Sequence, residues 1–203
     1  MNTVRSSLLC VGLLLLIHGP LRAQRDWDAV EIEVTTLRGG VHMLTAAGGN
    51  LGVFVGPDGT LIVDADYAEM SERILDRVTA LAREAPGADP TLRYLVNTHW
   101  HFDHTSGNEA FAGAGAVIIA HEGVSHLLAG DQVMSALGGR EVAAAPIQAR
   151  PVMTFNDRLN MAFNGDLLHF VHLPDAHTNG DVIVHFRDAD VIHMGDLFFN
   201  GTY

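Results

Sequence analysis

Apolar and polar residues alternate soon after residue 25, with Val30, Ile32 and Val34 on one face, the period of a half-buried strand. Glycine-rich punctuation at Gly39-Gly40, Gly48-Gly49-Asn50 and the "GPDG" of residues 56–59 then bounds the short apolar runs "VHML", "LGVFV" and "TLIVD". That pattern predicts three or four strands joined by tight turns. Over residues 67–84 the period lengthens, with Ile74, Val78 and Leu81 at i, i+4 and i+7, predicting an amphipathic helix ended by Pro86-Gly87. A strand "RYLVN" (93–97), a strand "GAVIIA" (115–120) and a helix over residues 122–128 follow. Residues 129–150 are rich in Gly and Ala without a clear period and read as a mobile loop or loose helix flanking whatever site the chain builds. A second strand series, "VMTF", "LNMAF", "LLHFVHL", "DVIVHF" and "VIHMG", is broken by the turns "NDR", "NGD" and "RDAD". Two strand series with helices between them predict a layered α/β protein of two facing sheets with helices outside. No glycine-rich phosphate loop follows the first strand, so the pattern gives no support to a nucleotide-binding fold.

The segment before this pattern reads differently. "MNTVRSSLLCVGLLLLIHGPLRA" has a basic residue, an apolar run over residues 8–17, a Gly19-Pro20 breaker and a small residue at Ala23. This is the layout of a secretory signal peptide, residues 1–23, cleaved after Ala23 to leave a single domain over residues 26–203. The apolar run is short of the ~20 residues that a membrane span needs. The expectation is a periplasmic or secreted protein with no stable membrane insertion after cleavage. Cys10, the only cysteine, leaves with the signal, so any metal must be held by nitrogen and oxygen. Cleavage also removes two arginines and no acid, taking the formal net charge from −12 to −14. All 12 basic residues are arginine. So acidic a chain disfavours nucleic acid, whose binding depends on neutralising phosphates, and leaves a small-molecule substrate as the expected partner.

Against this background the run "NTHWHFDHTSGN", residues 97–108, packs three histidines and an aspartate into six consecutive positions. Side chains at i and i+2 of an extended segment point the same way, so His99 and His101 can offer two imidazoles to one ion. Asp103 and His104 follow where the chain turns toward a helix and can serve a second ion. Two cations roughly 3.5–4 Å apart can share one hydroxide. One short loop cannot surround two ions, and further ligands are available: His177 in "LPDAHTNGD", and Asp196 in "HMGDLFF", whose two carboxylate oxygens suit it to bridge.

The segments "THWHFDH", "HTNGD" and "MGDLFF" resemble, in order and placement, three successive motifs of the metallo-β-lactamase superfamily, and the resemblance covers most of the chain after residue 25. It implies a four-layer αβ/βα sandwich, a binuclear site of zinc type (iron or manganese being alternatives), and hydrolysis by a metal-bound hydroxide. Carried over residue by residue, His99, His101 and His177 hold the first ion, Asp103 and His104 the second, and Asp196 bridges. Asp103 would also accept a hydrogen bond from the nucleophile and so act in catalysis. Asp196 stands where the antibiotic-degrading subclass with a cysteine ligand has its thiolate, which points instead to branches such as glyoxalase II, lactonases and related esterases. The superfamily's final histidine, on the second ion, has no counterpart after Asp196, and no closing helix follows. The expectation is therefore a sequence whose C-terminal layer lies beyond Tyr203.

The resulting reading is a binuclear hydrolase of ester, thioester, lactone or lactam substrates. The alternatives are a β-lactamase proper, an iron-dependent oxidoreductase resembling persulfide dioxygenases, and a non-catalytic metal-binding module. The other histidines after residue 25 (His42, His121, His126, His169, His172, His185 and His193) fall in or beside predicted strands and helices and read as structural. Asp64, ending "TLIVD", reads equally as a turn residue or as a hydrogen-bond partner of a ligand. Trp100 and Phe102 are expected to pack beneath or beside the site.

Overall fold

The computed structural model describes residues 25–199; the expected signal segment lies outside them. Four strands, β1 (Glu33–Thr36), β2 (Val41–Thr45), β3 (Asn50–Gly56) and β4 (Gly59–Val63), form an antiparallel meander. A 3-10 turn and helix α1 (Ser71–Glu84) then carry the chain to β5 (Leu92–Val96), which pairs parallel to β4. Helices α2 (Phe102–Thr105) and α3 (Asn108–Gly113) precede β6 (Val117–His121), again parallel, and α4 (Glu122–Leu128) follows at once. The second sheet is an antiparallel meander of β10 (Arg158–Phe163), β11 (Asp166–His172), β12 (Val182–Phe186) and β13 (Val191–His193).

Three expectations need correction. The "VMTF" strand belongs to the first sheet: β9 (Met153–Phe155) pairs parallel to β6 and completes the order β1-β2-β3-β4-β5-β6-β9. Residues 129–150 are not a loose helix. They hold a hairpin of β7 (Gln132–Met134) and β8 (Arg140–Val142) around Gly138-Gly139, followed by a 3-10 turn. The first strand also begins later than the alternation predicts: Val30 and Ile32 precede β1 and pack against the core from there.

Burial explains the layering. The face of the first sheet carrying Leu44, Leu51, Val53, Ile62, Leu95 and Ile118 packs on Ile74, Val78 and Leu81 of α1 and Phe111 of α3. Its other face meets the second sheet through Phe54, Leu61, Val63 and Val96 against Phe163, Leu168, Phe170, Val184 and Phe186. Phe54 is the keystone there, edge-on to Phe186 at 5.4 Å and to Phe163 at 6.2 Å between ring centres. Among the described residues no helix covers the outer face of the second sheet, where Leu167, His169, Ile183 and His185 are half-buried and Ile192 is exposed. Among them, too, no helix is long and apolar enough to cross a membrane.

The parallel strands all point their carboxyl ends one way, and the loops that leave β4 and β5 meet there. Two backbone bonds fix the junction. Asp64 N–H donates to Val96 O at 2.8 Å, and Val182 N–H donates to Thr98 O at 2.8 Å, which ties the second sheet to the loop after β5.

The packing sets a stability contrast. Phe54→Ala empties the space between the two sheets and should cost about 3–5 kcal/mol. Thr35→Ala, on exposed β1, should stay within about 0.5 kcal/mol. Urea unfolding midpoints of the two variants measure the difference directly.

Candidate metal centre

The histidine run leaves β5 as an extended segment and turns into α2 at Phe102, so that His99 and His101 emerge before the turn and Asp103 and His104 within it. The run is closed by its own ends. Asn97 and Asn108, both fully buried, exchange amide hydrogen bonds at 2.9 Å in each direction, and Asn108 donates a further one to Ala149 O at 2.9 Å. The loop between β11 and β12 brings in His177. Asp181, buried at the loop's end, accepts from the backbone and hydroxyl of Thr178, and Gly180 packs on Val124 of α4. Asp196 arrives from the 3-10 turn after β13.

These residues converge. Ligand atoms of His99, His101, His177 and Asp196 all lie within 4.8 Å of one another. His177 Nε2 and His101 Nδ1 face each other at 3.0 Å, and His177 Nε2 lies 3.4 Å from Asp196 Oδ2. On the other side of Asp196, its Oδ1 is 3.1 Å from His104 Nε2, which is 3.9 Å from Asp103 Oδ2. All six residues singled out in the sequence thus meet around Asp196, three on each side when Asp196 is counted with Asp103 and His104.

The carboxylate of Asp64 decides how two of the imidazoles present themselves. It accepts from Thr98 N–H and from Thr98 Oγ1 at 2.7 Å each, and from His104 Nδ1 at 2.8 Å. Thr98 Oγ1, having given its proton to Asp64, accepts one from His99 Nδ1 at 3.1 Å. Both His99 and His104 therefore carry a proton on Nδ1, which aims Nε2 at the centre. His99 Nε2 is fully buried and has no hydrogen-bond partner among the described residues. An orphaned buried nitrogen costs about 1–3 kcal/mol unless something else occupies its lone pair.

The electrostatics agree. Burial, reinforced by the neighbouring His104, pushes the His99 pKa down to about 3, so it presents a free lone pair at neutral pH. Burial and the nearby His177 lower His101 as well. Burial would raise Asp196, but its hydrogen bond from His104 outweighs this and holds it at about 2. For His104, burial is overcome by Asp64 and Asp196, which raise it well above the ordinary value. His104 thus carries a positive charge between two carboxylates and must give up its Nε2 proton to act as a ligand, whereas the unshared imidazole of His99 within an all-nitrogen-and-oxygen set fits a divalent cation.

Residues that the sequence did not single out frame this set. Asp66, buried, accepts from Ala47 and Gly48 N–H at 3.0 Å each and from Tyr67 N–H at 2.6 Å, and so presses residues 47–49 onto the α2 backbone. Gly48 must be glycine there: a Cβ would strike the carbonyl oxygen of Asp103. His193 accepts from Gly195 N–H at 3.3 Å and donates to Asn50 O at 2.8 Å, tying the Asp196 turn to β3. Its strand position resembles that of any structural histidine, and only its spacing of three from Asp196 could have marked it. As expected, Trp100 packs beneath, with Ala120, Val124 and Leu128, and Phe102 packs beside, against Tyr67. A cavity of about 750 Å³ opens next to Asp103, His104 and Asp196, walled by Val41, Met43, Leu51 and Phe186.

Comparison with known proteins places this arrangement. Residues 44–202 match the family model of the metallo-beta-lactamase superfamily. Among curated proteins, the chain is 25% identical over 166 residues to the acyl-coenzyme A thioesterase MBLAC2 of Gallus gallus, covering 75% of this chain and 58% of that protein. It is 29% identical over 111 residues to the hydroxyacylglutathione hydrolase of Rhodospirillum rubrum, covering 54% of this chain and 35% of that protein. The chain thus spans about a third to three-fifths of these relatives. Among solved structures, a metallo-beta-lactamase of Cronobacter sakazakii superposes with a TM-score of 0.68 at 23% identity, over 86% of this chain and 66% of that one. One from Pontibacter korlensis gives 0.59 at 19%, over 77% and 67%. At such identities the superpositions speak for the fold: an α/β sandwich of the same type. The matched span contains every one of the converging residues, and the chain belongs to the metallo-beta-lactamase superfamily.

Proposed function

We propose that this chain carries the metal centre of an exported hydrolase that cleaves an ester or thioester at its acyl carbon. The observation that supports it most is the buried, unpartnered Nε2 of His99 among three other converging ligand atoms. The curated relatives are named as an acyl-coenzyme A thioesterase and as a hydroxyacylglutathione hydrolase. Export rests on the signal-like residues 1–23 and stays part of the proposal.

His99, His101 and His177 would hold one ion, Asp103 and His104 a second, with Asp196 shared. Zinc suits a set without sulfur whose nitrogens are imidazoles. Bound there, it supplies Lewis acidity and a water acidic enough to attack near neutral pH. The chain's own part is orientation and charge. Asp64 and Thr98 lock two imidazoles in the right tautomer, and Asp196 stays anionic. Asp103, only partly buried and facing the cavity, can accept a hydrogen bond from an attacking water and set its direction. Hydrolysis adds water's oxygen to the acyl carbon, breaks its bond to the leaving sulfur or oxygen, and returns a proton to the leaving group. The apolar cavity walls suit the acyl part of such a substrate.

Three outcomes are expected. X-ray absorption on the metal-loaded protein should show zinc with nitrogen and oxygen neighbours alone; a sulfur shell, or a single iron as the active metal, would overturn the assignment. Asp103→Asn keeps the shape and removes the charge, so kcat should fall by roughly 10²-fold or more on a generic thioester; near-normal turnover would remove Asp103 from the chemistry. Asp64→Asn should weaken metal binding by about 10–100-fold in calorimetric titration, because an amide with a single acceptor oxygen and no charge replaces the carboxylate that accepts from both Thr98 and His104.

A further inference from the structure

Where α4 meets the loop that carries His177, two histidines that the hydrolase reading leaves unused lie face to face. The rings of His121, at the end of β6, and His172, at the end of β11, are 3.8 Å apart between centres and inclined by only 15°. Phe155 of β9 closes one side, edge-on to His121 at 6.2 Å. Each Nδ1 is committed to the backbone. His121 Nδ1 accepts from Gly123 N–H at 3.1 Å and so caps α4. His172 Nδ1 donates at 3.1 Å to Asp181 O, which also accepts from Leu173 N–H at 2.9 Å and closes the loop at its base. The loop in turn rests on the capped turn of α4. A Cβ on Gly123 would stand 3.2 Å from Asn179 O, and one on Gly180 only 2.9 Å from Val124 Cγ2. His177 lies two residues before Asn179.

These bonds fix both tautomers, because a backbone N–H only donates and a carbonyl only accepts. His121 is neutral with its proton on Nε2, and His172 carries one on Nδ1. A further proton on His172 goes to Nε2 and leaves its bond to Asp181 O intact. On His121 it has one place to go, Nδ1, the atom that caps Gly123. Protonation there sets a donor against a donor, beneath the contact with Asn179 and Gly180. The ionisable groups around the pair are Glu122 on α4 and Asp157 before β10, which both favour the cation, and Asp181, whose carboxylate is taken up by Thr178. Arg158, next along the chain, is exposed and paired in register with Val171. Burial, reinforced by His172, outweighs the two acids and lowers the His121 pKa.

We propose that His121 is a positioning residue: neutral, it holds the His177 loop on α4, and protonated, it releases that loop and with it one ligand of the first ion. This rests on the metal-centre reading only for what His177 does; the movement of the loop is tested without metal. A docked His121 binds its proton less tightly than a free imidazole, so opening takes up a proton. Docking is therefore at full strength above the ordinary value of 6.5, weakens as pH falls from there toward the lowered value of the docked form, and levels off below it.

The first measurement compares the wild type with His121→Asn, since asparagine caps a helix and does not titrate. Amide exchange of the metal-free full chain is followed at Thr178 and Gly180 from about pH 7.5 to about pH 5, each rate divided by the intrinsic rate at that pH. Protection should fall about fivefold or more in the wild type and less than about twofold in His121→Asn. His121→Phe, which keeps a flat ring but can neither cap nor titrate, should show the low protection of the acid form at every pH. An equal fall in wild type and His121→Asn, or full protection in His121→Phe, would overturn the proposal. Thermal melts identify a variant that fails to fold, and His121→Ser, a second cap without a titrating group, then carries the comparison.

The second measurement is calorimetric titration with zinc. Affinity falls with acidity in every variant, because the ligand imidazoles themselves bind protons. The ratio of Kd, wild type over His121→Asn, should nevertheless rise about fivefold between about pH 7.5 and about pH 5.5. A constant ratio would overturn the release of a ligand. Absence of any zinc binding would defeat the metal-centre reading, while the exchange comparison still decides the role of His121 in docking the loop.

Discussion

The carboxylate of Asp64 holds the centre in register. Fully buried at the end of β4, it takes three hydrogen bonds from the loop after β5, and through them it orients imidazoles on both sides of Asp196. Its own backbone is in the left-handed region, φ 66°, as is that of Asp66, φ 55°. Such conformations cost about 1–3 kcal/mol each in a residue other than glycine and persist only where surrounding contacts over-determine them. Here they do. Asp64 is fixed by Thr98 and His104, and Asp66 by three backbone N–H groups. The strand end is bent so that two successive acids can face opposite partners, one the ligand imidazoles and the other the glycine strip above α2.

Charge is distributed with similar economy. Burial alone would push Asp64 toward neutrality, yet the adjoining His104 draws its pKa below the ordinary value, while Asp66, with no cation so close, is raised by burial. The acid that needs to be an anion is thus paired, and the acid that only gathers N–H groups tolerates a weaker drive to ionise. Basic residues are half as many as acids in this chain, and Arg25 and Arg140 rest on aromatic faces.

Much of this was legible in the residues. Period-two runs bounded by glycine marked the strands because each buries one face, and the switch to i, i+4, i+7 marked α1 for the same reason. The six converging residues could be named because extended backbone presents His99 and His101 together and because turns after strands offer His177 and Asp196. What escaped was non-local. The short β9 pairs parallel to β6, and nothing in three residues says which sheet will take them. The hairpin over residues 132–142 has strands of three residues, too short for a period to show. The Asn97–Asn108 clamp, the cap that His121 puts on α4 through its bond from Gly123 N–H at 3.1 Å, and the row of tilted rings Trp27–Tyr67–Phe102 flanked by Arg25 and Arg140 all depend on contacts that only the fold creates.

The glycine strip carries a consequence for how this centre tolerates change. Gly48 lies on the Asp103 carbonyl, and Gly195, at φ 50°, leaves room for a Cβ only 2.7 Å from Thr98 Oγ1. Neither residue has a side chain to offer the chemistry, yet one added methyl at either place collides with the framework that aims the imidazoles. In a saturation library these two positions should be as intolerant as the histidines themselves, and intolerant even of alanine. A map of sensitivity to substitution would therefore outline the centre twice: once by the groups that donate electrons, and once by the empty volumes that let those groups meet.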